Sequence, residues 1–98
     1  MDNRNIQADP QSPSIVTRYW IEFSGSPVDV WPCILGCGVT AFDQDDALQL
    51  VKGSIFPNKP MPTVNVIFEN VDVSTLDAAH VLPNIGTPNV RGVWYPNA

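Results

Sequence analysis

The chain has 98 residues, 44% of them apolar and 9% aromatic, which is enough for one small core and too little for a second domain. Its net charge of −5 and its 5 basic residues, scattered along the chain, exclude a phosphate-binding surface, so we expect no nucleic-acid partner.

The polar N-terminal segment comes first in chain order. Residues 1–13 show no hydrophobic periodicity and contain two of the prolines. Such a segment cannot bury enough apolar surface to offset the entropy of ordering it. We therefore predict a disordered tail over 1–13 and a single domain over 14–98.

The first predicted strand runs from Ile15 to Phe23. Its residues alternate in the period of two that strand geometry imposes, and the turn sequence Ser24 to Pro27 ends it. One face carries Tyr19, Ile21 and Phe23, and the other carries Arg18, Trp20 and Glu22.

A second strand is predicted from Cys33 to Phe42. Gly36 and Gly38 weaken it, and they indicate a bulge or a place where another group comes close to the backbone.

The main helix follows the second strand with almost no loop. Asp43 is a suitable N-cap, Asp46 lies three residues later, and Gly53 can end a helix over Gln44–Lys52. Ala47, Leu48 and Val51 share one face of this helix, so that face should pack on the sheet.

The rest of the chain alternates connectors with short elements. Phe56–Pro62 is a stiff, proline-rich connector, and Thr63–Phe68 is a β-branched and aromatic third strand. Ser74 to Asp77 resembles a capping box for a short helical turn that Pro83 ends. Val90–Tyr95 is the last strand.

This order predicts an α+β domain: a mixed sheet of about four strands, with one main helix packed on one face. In its β-β-α-β-short helix-β order, and in the capped helix directly after the second strand, the stretch from Ile15 to Tyr95 resembles the β-grasp arrangement of ubiquitin-like proteins. The resemblance is one of topology and implies no function. The chain ends Trp94 to Ala98, without the glycine pair of a ubiquitin-like tail.

Thiol chemistry would have to use Cys33, Cys37 and His80. On a regular strand the cysteines would lie about 13 Å apart, beyond the roughly 7 Å that a disulfide spans. A turn at Gly36 would bring them together. A cysteine nucleophile with His80 as base and Asp77 as its orienting group is the catalytic alternative, and buried structural cysteines are the favoured interpretation. We predict no catalytic residues, no metal site and no cofactor.

Large aromatic side chains form the candidate binding surface. If the first strand buries Tyr19, Ile21 and Phe23, then Trp20 faces the other way beside Arg18. Tryptophan, tyrosine and arginine dominate the energetics of protein interfaces. The alternative is that the Trp31 loop and the N-terminal tail cover this second face. The predicted binding residues are Arg18, Trp20, Trp31, Trp94 and Tyr95.

The sequence thus favours a small non-enzymatic module that binds or regulates another protein, through the face around Trp20 and Trp94 or through an exposed edge strand. The alternatives are an acidic inhibitor or immunity-type protein that blocks a basic partner, and a cysteine-dependent enzyme. No apolar stretch approaches the roughly 18 residues of a membrane span, and a signal peptide is not evident. With only 2 cysteines, the chain is expected to be soluble and cytoplasmic.

Overall fold

Four strands form one open antiparallel sheet in the computed structural model, which describes residues 15–97. The strands are β1 (Thr17–Phe23), β2 (Cys37–Ala41), β3 (Val64–Glu69) and β4 (Gly92–Tyr95), in the order β3-β1-β2-β4 across the sheet. The helices are α1 (Pro27–Val30) and α2 (Gln44–Ile55), and two 3₁₀ turns lie at Val73–Thr75 and Leu82–Asn84.

The predicted α+β domain with four strands and one main helix is confirmed, and the mixed sheet is wrong. β1 pairs antiparallel with both β2 and β3, and β2 pairs antiparallel with β4. The crossover through α2 makes β2 and β3 run in the same direction, but β1 lies between them, so no neighbouring strands are parallel. The β-grasp-like topology is not confirmed, and the predicted tail over 1–13 lies outside the described residues.

The main core lies between α2 and one face of the sheet. Tyr19 and Ile21 of β1 are buried there, as the alternation predicts, and the ring of Phe23 packs edge-on against Phe56 at 5.8 Å between centroids. Full burial of one such side chain stabilises a fold by about 1.5–3 kcal/mol. The other buried members of this cluster are Cys33, Cys37, Val39, Ala41, Ala47 and Val51.

The predicted cap of α2 is confirmed. The Asp43 carboxylate accepts a hydrogen bond from the Asp46 backbone N–H at 2.8 Å, and the Asp46 carboxylate accepts one from the Phe42 N–H at 3.0 Å. The predicted end at Gly53 is wrong, because the helix continues to Ile55. The Lys52 ammonium donates to the Phe56 and Lys59 carbonyls just beyond the helix, which ties α2 to the start of the proline-rich connector.

The segment between β3 and β4 differs locally from its prediction. Asp72, rather than Ser74, caps the first 3₁₀ turn, and its carboxylate accepts from the Ser74 N–H at 3.0 Å. Asp77 starts a separate turn by accepting from the N–H groups of Ala79 and His80. Pro83 lies inside the second 3₁₀ turn rather than ending a helix. Asp72 and Asp77 therefore take over the capping that the sequence pattern assigned to Ser74.

An ion pair fastens β4 to the start of α2. Arg91 donates from Nε to the Asp46 carboxylate at 2.8 Å and from Nη2 to its other oxygen, while its guanidinium lies over the Phe42 ring at 4.8 Å. The hydrogen bond from Arg91, with that from the Phe42 N–H, lowers the pKa of Asp46 to about 2. The folded protein therefore binds a proton at this carboxylate less readily than the unfolded chain does.

Replacing Arg91 with methionine should lower the free energy of unfolding slightly at neutral pH, because solvent screens this partly exposed ion pair. A depressed carboxyl pKa stabilises the fold above the ordinary value of 3.8, and that contribution is lost as the pH falls through 2. The gap between wild type and variant in urea denaturation should therefore shrink as the pH falls from about 4 to about 2. Lys59→Met, which removes an ammonium lying over the Phe56 ring, should show no such pH dependence. A gap that stays constant with pH would contradict the ion-pair assignment.

Candidate functional site

The predicted exposed face around Trp20 is closed in the structure. Trp20 is 5% exposed, Trp94 is 1% exposed and Tyr95 is 9% exposed. The Trp20 ring lies 6.2 Å from the Trp94 ring and 5.6 Å from the Tyr95 ring, and its indole N–H donates to Glu22 at 3.2 Å. A partner cannot contact Trp20 or Trp94 unless the residues above them move, so the binding role of these two residues stays a prediction.

The cover of this second face is the irregular segment between β3 and β4, not the Trp31 loop. Val81 is buried in the same cluster as Trp20, Trp94 and Tyr95. Four further apolar side chains of the segment pack against the cluster, and they are Val71, Val73, Leu76 and Ile85. The domain therefore has a second core, and the parity of β1 places Trp20 in it.

Glycines provide the room for these rings. A Cβ at Gly36 would overlap the Trp20 ring, and a Cβ at Gly38 would overlap the Trp94 ring, each at a separation below 3.0 Å. The register of the β2–β4 pair also shifts between Gly38 and Val39. The sequence expectation of a bulge or a close approach at these glycines is confirmed, and the approaching groups are indole rings of the same chain.

Arg18 lies apart from the other predicted binding residues. It is exposed, and its Nη2 donates to the Asn89 side-chain oxygen at 2.7 Å. A small cavity of about 190 Å³ borders Arg18 and Asn89. The contact fastens the loop before β4 to β1, and the binding role of Arg18 stays a prediction.

Trp31 is the predicted residue that the structure leaves exposed. The Ser26 hydroxyl caps α1 by accepting from the Asp29 N–H at 3.3 Å, and the Trp31 N–H donates to the Pro27 carbonyl at 3.0 Å. The short helix thus ends at Trp31, whose side chain is 64% exposed. The next turn presents Ile34 and Leu35, which are 50% and 45% exposed.

These side chains border a groove of about 860 Å³. We call it the Trp31 groove. It lies between the Trp31–Leu35 turn, the end of α2 and the end of β4. Its apolar wall includes Trp31, Ile34, Leu35, Ile55, Val93 and Tyr95. Pockets of this size bind ligands mainly through apolar contact, with a few polar groups that fix orientation.

The polar rim of the Trp31 groove carries amide, hydroxyl and imidazole groups. Ser54, His80, Asn84 and Asn97 lie along it, and among the described residues that line the groove none is a lysine, arginine, aspartate or glutamate. Burial raises the pKa of Tyr95, so its phenol is neutral and can donate a hydrogen bond. The groove therefore suits an uncharged apolar ligand with hydrogen-bonding groups at its edge.

The structure brings together Asp77 and His80 but does not place a thiol on that imidazole. The His80 Nδ1 lies 3.2 Å from the Asp77 carboxylate, and both side chains are exposed. Cys33 and Cys37 are free thiols, and both are buried in the main core between α2 and the sheet. Among the hydrogen bonds described for residues 15–97, the side-chain partner of the His80 ring is Asp77.

A turn, rather than a strand, spans Cys33 to Gly36. The Gly36 N–H donates to the Cys33 carbonyl at 3.1 Å, and β2 begins at Cys37. The predicted strand over Cys33–Phe42 is therefore too long at its start, because Gly36 has a φ of +134°, which a regular strand does not contain. Within the described part of the chain, no group of three or more histidine, cysteine or acidic residues could hold a metal ion.

None of the helices described in residues 15–97 is both long enough and apolar enough to span a bilayer. No protein-family model matches this chain, and neither a curated protein nor a solved structure shows significant similarity to it.

Proposed function

We propose that this chain is a small non-enzymatic binding module that holds an apolar segment of a partner protein in the Trp31 groove. The observation that carries this proposal is the exposure of Trp31, Ile34 and Leu35, three large apolar side chains of the segment 31–35 beside the groove. Contiguous exposed apolar surface is uncommon on monomeric proteins, and it marks binding sites.

The chemistry of the lining supports a peptide segment as the occupant. The wall is apolar and aromatic, and the rim groups of Ser54, His80 and Asn97 can hydrogen bond to a peptide backbone. Tryptophan is enriched among residues that contribute most to protein binding, where burial of a large rigid ring gives the energy. The acidic residues within residues 15–97 lie outside the groove lining.

The position of the cysteines supports a reducing compartment such as the cytoplasm. Both thiols are free and buried beside the groove-forming turn. Disulfides are rare in reducing compartments and common in small secreted domains. We therefore include a cytoplasmic location in the proposal.

The test is a comparative pull-down from an extract of the native host, with wild type, Trp31→Ala and Phe68→Ala as baits and quantitative mass spectrometry as readout. Phe68 is the matched control because it is 49% exposed but lies on β3, at the opposite edge of the sheet from β4. We expect a partner that wild type and Phe68→Ala retain and Trp31→Ala loses. The loss in affinity should be about 30-fold, equivalent to ~2 kcal/mol for an interface hot spot.

Other outcomes separate the alternatives. A partner lost with Phe68→Ala and retained with Trp31→Ala would contradict the groove and indicate recognition through the β3 edge. A complex whose affinity falls steeply as salt is added, and that Trp31→Ala captures as well as wild type does, would indicate the acidic inhibitor. An activity abolished by alkylation of the folded protein would indicate the cysteine enzyme.

A further inference from the structure

We propose that Cys33 and Cys37 form a reversible disulfide site that locks the Cys33–Gly36 turn and so regulates the Trp31 groove. The coupling to the groove rests on the proposed function, whereas the disulfide site itself does not. The turn carries Ile34 and Leu35 at its two central positions, directly between the two cysteines. A covalent bond across it would therefore fix the segment that presents two groove residues.

The geometry of the turn brings the thiols together. The hydrogen bond from the Gly36 N–H to the Cys33 carbonyl closes a four-residue turn, whose ends lie within about 7 Å of one another. Cys37 follows Gly36 directly, so the turn carries its backbone back towards Cys33, and a disulfide requires two Cα atoms within about 7 Å of one another. Both side chains point into the same core cluster, where Cys33 is 1% exposed and Cys37 is 0% exposed.

The two thiols influence one another's ionisation, and this influence distinguishes them. The neighbouring Cys37 thiol lowers the pKa of Cys33, whereas the contact with Cys33, together with burial, raises the pKa of Cys37 well above its ordinary value. The thiolate is the nucleophile in disulfide exchange. In the proposal we therefore assign the attack to Cys33 and the resolving step to Cys37.

The oxidant is a low-molecular-weight disulfide such as oxidised glutathione. When the turn opens locally, the Cys33 thiolate attacks one sulfur, breaks the S–S bond of the small disulfide and releases one thiolate, which takes up a proton. Cys37 then loses its proton and attacks the Cys33 sulfur, which forms the Cys33–Cys37 bond and releases the second small thiol. The protein dithiol is oxidised and the small disulfide is reduced to two thiols.

The test compares the folded and the urea-unfolded chain in the same glutathione redox buffer. After acid quenching, alkylation and mass spectrometry, the oxidised monomer has a mass about 2 Da lower and carries no alkyl group, while the reduced form carries two. Because the chain has 2 cysteines, an unalkylated monomer can contain only the Cys33–Cys37 bond. A fold that brings the thiols together should raise the equilibrium constant for the disulfide by about tenfold or more over the unfolded chain.

If the equilibrium constant for the disulfide in the folded chain is equal to or smaller than that in the unfolded chain, the disulfide site is overturned, because the fold then does not favour the bond. The measurement uses the wild-type chain, so it does not depend on whether a serine variant folds. Amide hydrogen exchange then tests the lock: the Gly36 N–H should exchange more slowly after oxidation, while the N–H groups in the middle of α2 stay unchanged. Equal Gly36 rates in both forms would overturn the lock.

The regulation of the groove is measured last, with the partner identified by the Trp31 comparison as the probe. We expect the oxidised form to bind it several-fold more tightly, because a fixed turn loses less entropy on binding. Equal affinity of both forms would overturn the regulation. If no partner depends on Trp31, the proposed function is contradicted. The mass spectrometry and hydrogen-exchange results would still decide whether the disulfide forms and locks the turn.

Discussion

Replacing Trp20 with alanine should lower the free energy of unfolding by about 3–5 kcal/mol, the cost of removing a large aromatic side chain from a core. Trp20 is 5% exposed and packs against the rings of Trp94 and Tyr95. The cavity would lie beneath a segment held by two 3₁₀ turns and by the Asp72 cap of the first, which cannot collapse into it freely. Urea denaturation followed by circular dichroism measures the change.

Trp31→Ala is the matched control, because it removes the same side chain from a position that is 64% exposed. Its free energy of unfolding should stay within about 0.5 kcal/mol of wild type, as for most surface substitutions. Where Trp20→Ala is too unstable to purify, Trp20→Phe retains part of the ring and should give a smaller loss of the same sign. Equal stability of Trp20→Ala and Trp31→Ala would mean that the second face is open, and would restore Trp20 as a binding residue.

The contrast between the two tryptophans shows where sequence reasoning succeeds and where it stops. Alternation along β1 assigns Tyr19 and Ile21 to one face and Trp20 to the other, and the two buried clusters confirm that assignment. Periodicity says which residues share a face, but it does not say what covers that face. The cover comes from a part of the chain far away in sequence, so the burial of Trp20 does not follow from β1 alone.

The covering segment was hard to recognise because its backbone is irregular. Val71, Val73, Leu76, Val81 and Ile85 follow neither the helical nor the strand period, since turns and 3₁₀ elements separate them. Their apolar character was nevertheless a usable signal. A stretch that holds five β-branched or leucine side chains is too apolar for a solvated connector, and it therefore needs a surface to pack on.

The candidate site was predictable only in part for a similar reason. Residue type alone predicts Trp31, and its exposure agrees with a binding role that stays a prediction. The sequence pattern does not reveal Ile34 and Leu35, because the predicted strand over Cys33–Phe42 would bury one of them. The signal that could have found them is Gly36, whose positive φ ends the turn and lets the Trp20 ring lie against the backbone.

Replacing Gly38 with alanine should lower the free energy of unfolding by about 3 kcal/mol, the upper part of the usual range for overpacking. The new methyl group would overlap the ring of Trp94 at a separation below 3.0 Å. Trp94 has little room to move, because its indole N–H donates to the buried Thr40 hydroxyl at 3.0 Å and that hydroxyl donates to the Pro88 carbonyl at 2.6 Å. The clash can be relieved only by shifting β4 or its cover.

Gly53→Ala provides the control with the opposite sign. Gly53 lies in α2, is exposed and has no atom within 4 Å of where a Cβ would be, so alanine should stabilise the helix by about 0.5–1 kcal/mol. The same chemical change thus separates a glycine that a packed ring requires from one that only weakens a helix. If Gly38→Ala unfolds at the same urea concentration as wild type, the Trp94 ring does not lie on β2, and the second core must be assembled differently. If instead Gly53→Ala destabilises the fold, the extension of α2 beyond Gly53 is wrong.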